Sequence, residues 1–457
     1  MQRFDPYGAI YRNALFPAWE SLFRGRPTLA RLAELRDSQY RSAEELSERQ
    51  AASMRRLLEH AFAHCPFYRR RFEEQGVTPA DIHDQAELAK LPILTREEAR
   101  DSLASRASAA PPFPTIEKTT SGSSGKPLTI AYDVGSESWR QAVKWRAYGW
   151  AGYRPGDRAI HYWGPQTPMG TRKKRIKVKA DRFLRRENYL DCVMQSDDAL
   201  AAVVRSIARK KPAVIVAYAQ SAGNLARYVN EKGVRDWGPI PVICTAEQLF
   251  PDDREQIRRA FGDGVFDSYG GRETMLVAAE CAAHEGLHIS TENILVELLV
   301  TENGRQRAAV PGEIGEVAVT DLHNFGSPLI RYVNGDLAVR ENPGMCGCGR
   351  YLERLRSVDG RKTDTFRDAM GERVHGMLFP ALMLHYATAL RHYQAIQHVD
   401  RSVTLKVVPT PDFAAARARL LETLEEVFRG LPITIEEVPE IPYSTTGKRR
   451  PVIVEVS

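Results

Sequence analysis

Apolar positions along the chain change period near residue 115. Before it, the spacing is helical. In "SAEELSERQAASMRRLLEHAFAHC", Met54, Leu57, Leu58 and Ala61 fall on one face of a helix. Ser42 with Glu45 three residues on reads as its capping box, and Pro66 in "CPFY" ends it. "LPILTREEARDSL" reads as a turn and a second capped helix from Thr95. After residue 115 short apolar runs alternate with helical stretches. The strand-like runs are "PLTIAYD", "GDRAIHYWG", "AVIVAY", "PVICTAEQL" and "GVFDSYGGRET". Between them lie "SESWRQAVKWRAYGWAG", "SDDALAAVVRSIARKKP" with Ser196 as cap, "SAGNLARYVNEKG" and "DREQIRRAFG". Strands alternating with helices predict an α/β sheet.

Beyond about residue 290 the runs shorten and turn β-rich: "NILVELLV", "GEIGEVAVTDL", "LIRYVNGDLAV". They predict a small barrel or sheet beside the α/β part. From about Gly360, "SVTLKVVP", "AAARARLLETLEEVFRG" and "PITIEEVP" predict a separate, smaller α+β unit. The expected division is therefore 1–110 helical, 111–359 an α/β and β-rich core, and 360–457 a mobile α+β lid.

Composition fits such a chain. Of 457 residues, 43% are hydrophobic and 27% charged, enough apolar material for large cores without disulfide staples. No run approaches the ~20 apolar residues that span a bilayer, and the first residues lack a signal-peptide pattern. A cytoplasmic protein is expected, as monomer or homodimer. Net charge is +6, concentrated in "TRKKRIKVKADRFLRRE" (171–187). That segment reads either as a solvated loop and helix face or as a surface for an anion: a nucleotide, coenzyme A, an acidic lipid surface or, least favoured, nucleic acid. No nucleic-acid-binding motif accompanies it.

The chemistry centres on "TTSGSSGKPLTI", from Thr119 to Ile130. Gly122 and Gly125 let the backbone turn so that successive N–H groups face an anion, with hydroxyls and Lys126 adding donors. Spacing alone leaves two readings open, a phosphate cradle and a flexible linker. It is not the Walker pattern.

Taken in order, "TSGSSGKP", "SYGGRE", "RYVNGD", "GRKTD" and "STTGKRR" resemble the adenylate-forming superfamily. More specifically, "TAEQL", "GRETMLVAAECAAHEGLHI", "CGCGR", "HAFAHCPFYRRRF" and "LAKLPILTREE" are similar to its phenylacetate–CoA ligase and capsule-biosynthesis branch. The resemblance spans nearly the whole chain. It implies activation of a carboxylic acid, aromatic or compact, by ATP and Mg²⁺ to an acyl-adenylate, with transfer to CoA. An amine or a carrier-protein thiol is the alternative acceptor, and a non-catalytic relative the alternative class.

The resemblance also implies roles. Thr120, Ser121, Gly122, Ser123, Ser124, Gly125 and Lys126 would hold the β and γ phosphates. Thr245–Glu247, with Ala246 between, would line the adenine side, Ser268 would belong to the nucleotide site, Tyr269 would stack on adenine, and Gly270 would let the backbone approach it. Asp336 would accept the ribose hydroxyls, a fitting acceptor for a vicinal diol. Arg361 would reach the nucleotide. Glu273 would hold Mg²⁺, and Lys448 would bridge carboxylate and α-phosphate; with Lys126 these form the expected catalytic set. Thr363 departs from the acidic residue common at the lid hinge. His161–Gly164, Ala217–Ser221 and "GGRETM" would build the acyl pocket, with Tyr162 and Trp163 either pocket or core. Arg272 would reach that pocket.

Six cysteines in a chain of this size do not form a disulfide framework. Cys281, His288, Cys346 and Cys348 suit a closed tetrahedral zinc site, with His284 as the alternative ligand and free buried thiols as the alternative state. The C-x-C spacing is tighter than usual. Zinc in relatives of this branch supports the metal reading.

Overall fold

The structure, a computed structural model, describes residues 5–119, 128–164, 172–302, 304–361, 366–370, 373–374, 382–383, 385–386, 388–428, 430–442 and 451–455. The glycine-rich residues 120–127, Thr363 and Lys448 lie outside them.

Five strands form the parallel part of a large sheet: β3 (Ala159–Trp163), β4 (Glu187–Asp191), β5 (Val214–Tyr218), β6 (Val242–Thr245) and β7 (Val265–Gly271). Their order is β4-β3-β5-β6-β7. β5, "VIVAY", is buried along its whole length, as expected of a central parallel strand covered on both faces. Successive residues divide between two cores. Ile160, Tyr162, Ile215, Ala217, Val242 and Cys244 face the helices Asp197–Lys210, Ala219–Lys232 and Pro251–Phe261. Ala159, Val214, Val216 and Ile243 face the helices Thr28–Ser38 and Val134–Trp150. The period of two in the sequence thus becomes two layers of helix around one sheet.

The sheet does not stop at β7. After running parallel to β6, β7 pairs antiparallel with β8 (Met275–Glu280), and the order continues through β9 (Leu287–Ile289). It goes on to β14 (Arg354–Arg361), β13 (Tyr332–Arg340), β12 (Ile314–Asp321), β10 (Ile294–Glu302) and β11 (Arg305–Ala308). The short strands expected to stand beside the α/β part are therefore joined to it through β7. The helix Ala43–His64, capped by Ser42 and Glu45 as expected, packs Met54, Leu57, Leu58 and Ala61 onto these strands. Each of the three large side chains is fully buried, worth about 1.5–3 kcal/mol apiece.

A hairpin of β1 (Thr115–Thr119) and β2 (Thr129–Asp133) lies apart from this sheet. Asp133 fixes its base: one carboxylate oxygen caps the helix Val134–Trp150 through Ser136 N at 2.8 Å, and the other accepts from Phe325 N at 2.9 Å. A four-stranded sheet closes the chain, its strands in the order Ile433–Glu437, Val403–Pro409, Leu390–Gln397, Val452–Val454. With the helix Phe413–Phe428 it buries its own core around Leu405, Val407, Leu420, Leu424 and Phe428. This is a small α+β region, as expected from its mixed pattern. Among the described residues no helix is long and apolar enough to cross a membrane.

Candidate active site

In a parallel sheet the strands all end at one edge, and ligands bind beyond those carboxyl ends. Here Trp163, Tyr218, Thr245 and Gly271 end β3, β5, β6 and β7. The helix Ala219–Lys232 starts directly at that edge, and the N–H of Gln220 donates to Glu247 Oε2 at 3.2 Å. Ala246 next to it holds φ at +66°, and Met275 beyond β7 holds +65°. Side chains rarely adopt this conformation, and such residues gather at functional sites. Ser268 Oγ donates to Cys244 O at 2.8 Å, which ties β7 to β6 below the edge.

Tyr269, Asn334, Asp336 and Arg361 meet there in one polar cluster. Tyr269 Oη donates to Asp336 Oδ2 at 2.9 Å. Asn334 Nδ2 lies 2.7 Å from Tyr269 Oη and 2.8 Å from the same carboxylate oxygen. Arg361 Nε is 3.5 Å from Asp336 Oδ1. Register explains the last contact, since Asp336 stands opposite Arg361 in the β13–β14 pair. Gly335 at φ +82° bends β13 just before the aspartate, a conformation glycine adopts without strain. Burial, reinforced by the Asp336 charge, pushes the Tyr269 phenol well above its ordinary pKa, so it remains a donor.

Glu273, in the turn between β7 and β8, meets a residue from the far N-terminal part of the chain. Arg96 Nη1 lies 2.9 Å from Glu273 Oε1 and 3.5 Å from Tyr332 Oη. Arg96 opens the helix Arg96–Asp101, capped by Thr95 and Glu98. Arg272 Nη1 donates to the carbonyl of Thr119 at 2.6 Å. That carbonyl ends β1, and Thr119 pairs with Thr129 of β2. The glycine-rich stretch therefore connects two paired strands of a hairpin whose mouth faces the "YGGRE" turn.

Of the aromatic pocket candidates, Tyr162 is core, with its hydroxyl accepting from Gln195 Nε2 at 2.8 Å. Trp163 packs edge-on to Tyr218, ring centres 4.7 Å apart. His161 is turned to the other face of the sheet, stacked on Tyr189 at 4.5 Å, and burial lowers its pKa to about 4.

Cys281, His288, Cys346 and Cys348 converge away from that edge, their ligand atoms all within 4.8 Å of one another. His288 comes from β9, which pairs with β14, and the two later cysteines from the turn before β14. The turn is closed by Cys346 N to Arg350 O at 3.0 Å and Gly349 N to Cys346 O at 2.8 Å. Cys281 and Cys346 sulfurs are 3.7 Å apart, and Cys348 Sγ is 3.4 Å from His288 Nε2. A tetrahedral ion with bonds of about 2.3 Å to sulfur and 2.0–2.1 Å to nitrogen has edges of roughly 3.8 and 3.6 Å. The Cys281–Cys346 and Cys348–His288 separations are close to those edges. His284 faces Glu280 instead, at 3.4 Å.

The motifs pointed to Tyr269, Glu273, Asp336 and Arg361, but gave no role to Arg96, although it lies within "LAKLPILTREE", nor to Asn334. Asn334 sits inside "RYVNGD" and its position two residues before Asp336 was the available signal.

No protein-family model matches the chain. It is 26% identical over 368 residues to the phenylacetate–coenzyme A ligase of Thermus thermophilus, covering 79% of this chain and 80% of the relative. It is 24% identical over 291 residues to protein CapK of Staphylococcus aureus, covering 61% and 60%. Its fold matches a solved 2-hydroxyisobutyryl-CoA ligase in the postadenylation state with a TM-score of 0.71, at 21% identity, over 92% of this chain and 91% of that one. By sequence the chain is similar to phenylacetate–coenzyme A ligases and, over a shorter stretch, to CapK, and its fold is that of the solved 2-hydroxyisobutyryl-CoA ligase.

Proposed function

We propose that this protein activates a carboxylic acid with ATP and passes the acyl group to coenzyme A. In the first step a carboxylate oxygen attacks the α-phosphorus, the bond to the β-phosphate oxygen breaks, and pyrophosphate leaves. In the second the CoA thiol loses its proton to solvent, its sulfur attacks the acyl carbon, the bond from that carbon to the phosphate oxygen breaks, and AMP leaves. The observation that carries this reading is the cluster of Tyr269, Asn334, Asp336 and Arg361 at the carboxyl edge of the sheet. An ionised carboxylate there accepts two ribose hydroxyls, and Arg361 beside it complements phosphate charge. The similarity to phenylacetate–coenzyme A ligases supports the same chemistry.

In this reading the hairpin mouth bounded by Thr119 and Thr129 presents residues 120–126 to the β and γ phosphates, and Arg272 holds its near side. Ala246, Glu247, Ser268 and Gly270 line the base. Glu273 holds Mg²⁺, which supplies charge neutralisation at the phosphates when bound, and Arg96 orients that carboxylate. Lys448 bridges the carboxylate and the α-phosphate. The part after Arg361 acts as the lid. Cys281, His288, Cys346 and Cys348 hold a structural zinc ion, which clamps β9 to the turn before β14. The assay is mass-spectrometric detection of acyl-CoA from a panel of carboxylic acids with ATP, Mg²⁺ and CoA. Formation of AMP and pyrophosphate with no thioester would refute transfer to CoA.

A further inference from the structure

The helix Arg172–Arg185 is built inside out. Its sequence, "RKKRIKVKADRFLR", carries eight cations and one anion, a charge of +7. The whole chain carries +6, so everything outside this helix sums to about −1. A helix on a globular protein normally turns its apolar stripe inward. This one turns inward Val178, Asp181, Arg182 and Arg185, all part-buried. The inner cations are engaged: Arg182 lies over the Tyr189 ring at 3.9 Å, and Arg185 Nε bonds Asp181 Oδ1 at 3.1 Å. Outward, at positions i, i+4, i+7 and i+8, stand Ile176, Ala180, Phe183 and Leu184, a stripe along one face. Phe183 is 81% exposed, Ile176 59% and Leu184 48%. Arg172, Lys173, Arg175, Lys177 and Lys179 are exposed beside the stripe. The adjoining stretch Pro6–Phe23, bonded to the helix through Tyr7 Oη to Leu184 O at 2.6 Å, exposes Ile10, Leu15, Leu22 and Phe23.

We infer that this helix is a docking surface for an anionic lipid membrane. An exposed apolar stripe bordered by lysine and arginine is what an interfacial helix needs. The apolar side chains enter the acyl boundary while the cations stay with acidic headgroups. A convex helix with its bulkiest apolar side chain outermost suits a deformable lipid surface. Charge complementarity is built in, because the helix holds more than the entire net charge of the chain. The inference is independent of the adenylating reaction, since none of these residues belongs to the candidate active site.

The test is co-sedimentation of the full chain with phosphatidylcholine vesicles, with and without phosphatidylglycerol, at low and high salt. Binding is expected to the phosphatidylglycerol vesicles only, and to fall as salt rises. Lys173→Glu/Lys177→Glu and, separately, Ile176→Ser/Phe183→Ser should each weaken it about tenfold or more. All these side chains are exposed, so unchanged thermal melting and pyrophosphate release would show that the variants fold. No binding to the acidic vesicles, equal binding to neutral ones, or variants that bind like the parent would overturn the inference. So would capture of a nucleic-acid probe, or self-association through the stripe, with vesicles left unbound.

Discussion

Gly270→Ala separates two reasons for a glycine in the "YGGRE" turn. The family resemblance explains it by the approach of adenine to the backbone. The structure adds a second reason inside the protein. A Cβ on Gly270 would overlap the carbonyl oxygen of Met275 and lie 2.9 Å from its carbon and 3.0 Å from Leu276 Cα. All three neighbours are backbone, and none can move by changing rotamer. They belong to the β7–β8 pair at the point where its register shifts, between Tyr269 and Gly270. The strands must part, and overpacking of this kind costs about 1–3 kcal/mol, with a backbone obstacle placing it toward the upper end. Because β7 carries Tyr269 and the turn carries Glu273, a displacement of about 1 Å also implies a loss near 100-fold in turnover. The assay is paired: thermal or urea unfolding without nucleotide, and pyrophosphate release with a saturating acid. Both stability and turnover should fall. A variant with unchanged unfolding and only a raised KM for ATP would refute the strand-spacing argument and leave adenine approach as the whole explanation.

Four further outcomes follow from the geometry. Asp336→Ala removes the shared acceptor of Tyr269 and Asn334 and both proposed ribose bonds; at about 1.5–3 kcal/mol for each charged hydrogen bond, kcat/KM for ATP should drop 10²–10⁴-fold, with stability changing far less. Arg96→Met frees Glu273 from its partner and should raise the Mg²⁺ concentration for half-maximal activity several-fold, while an unchanged requirement would remove Arg96 from the site. Burial, with Glu280 nearby, raises Asp267 to about 7, against 3.8 for an ordinary aspartate; the folded state then holds a proton the unfolded chain has lost, so from about pH 4 to 7 its contribution to stability falls as pH rises, and Asp267→Asn should flatten that slope in urea unfolding. Cys346→Ser should lower bound zinc from one ion per chain and lower the melting temperature by several degrees, whereas metal-free parent protein would end the zinc assignment.

Much of the site was legible because its residues sit in short ordered motifs. "RYVNGD" placed Asp336, and the structure shows why the spacing holds: Gly335 bends the strand and the β13–β14 register brings Arg361 opposite. The capping boxes at Ser42 and Thr95 were legible because their bonds lie within four residues. Contacts across long separations were not. Arg96 reaches Glu273 over 177 positions, and no local pattern encodes that. β4 was hidden for a different reason. "ENYLD" is a part-buried edge strand without an apolar run, directly after the most basic stretch of the chain. The joining of the late strands to the α/β sheet depends on one strand, β7, changing from a parallel to an antiparallel partner, which periodicity cannot express.

Acid-dependent exchange of labelled pyrophosphate into ATP, run without coenzyme A on the parent and on Asp336→Ala, tests the central claim most directly. Exchange reports reversal of adenylation alone. The account predicts exchange with at least one carboxylic acid, none without acid, and a loss of at least 100-fold in Asp336→Ala at subsaturating ATP. Exchange that persists in Asp336→Ala at the parental rate, or no exchange across a broad panel of aromatic and compact acids, would contradict it.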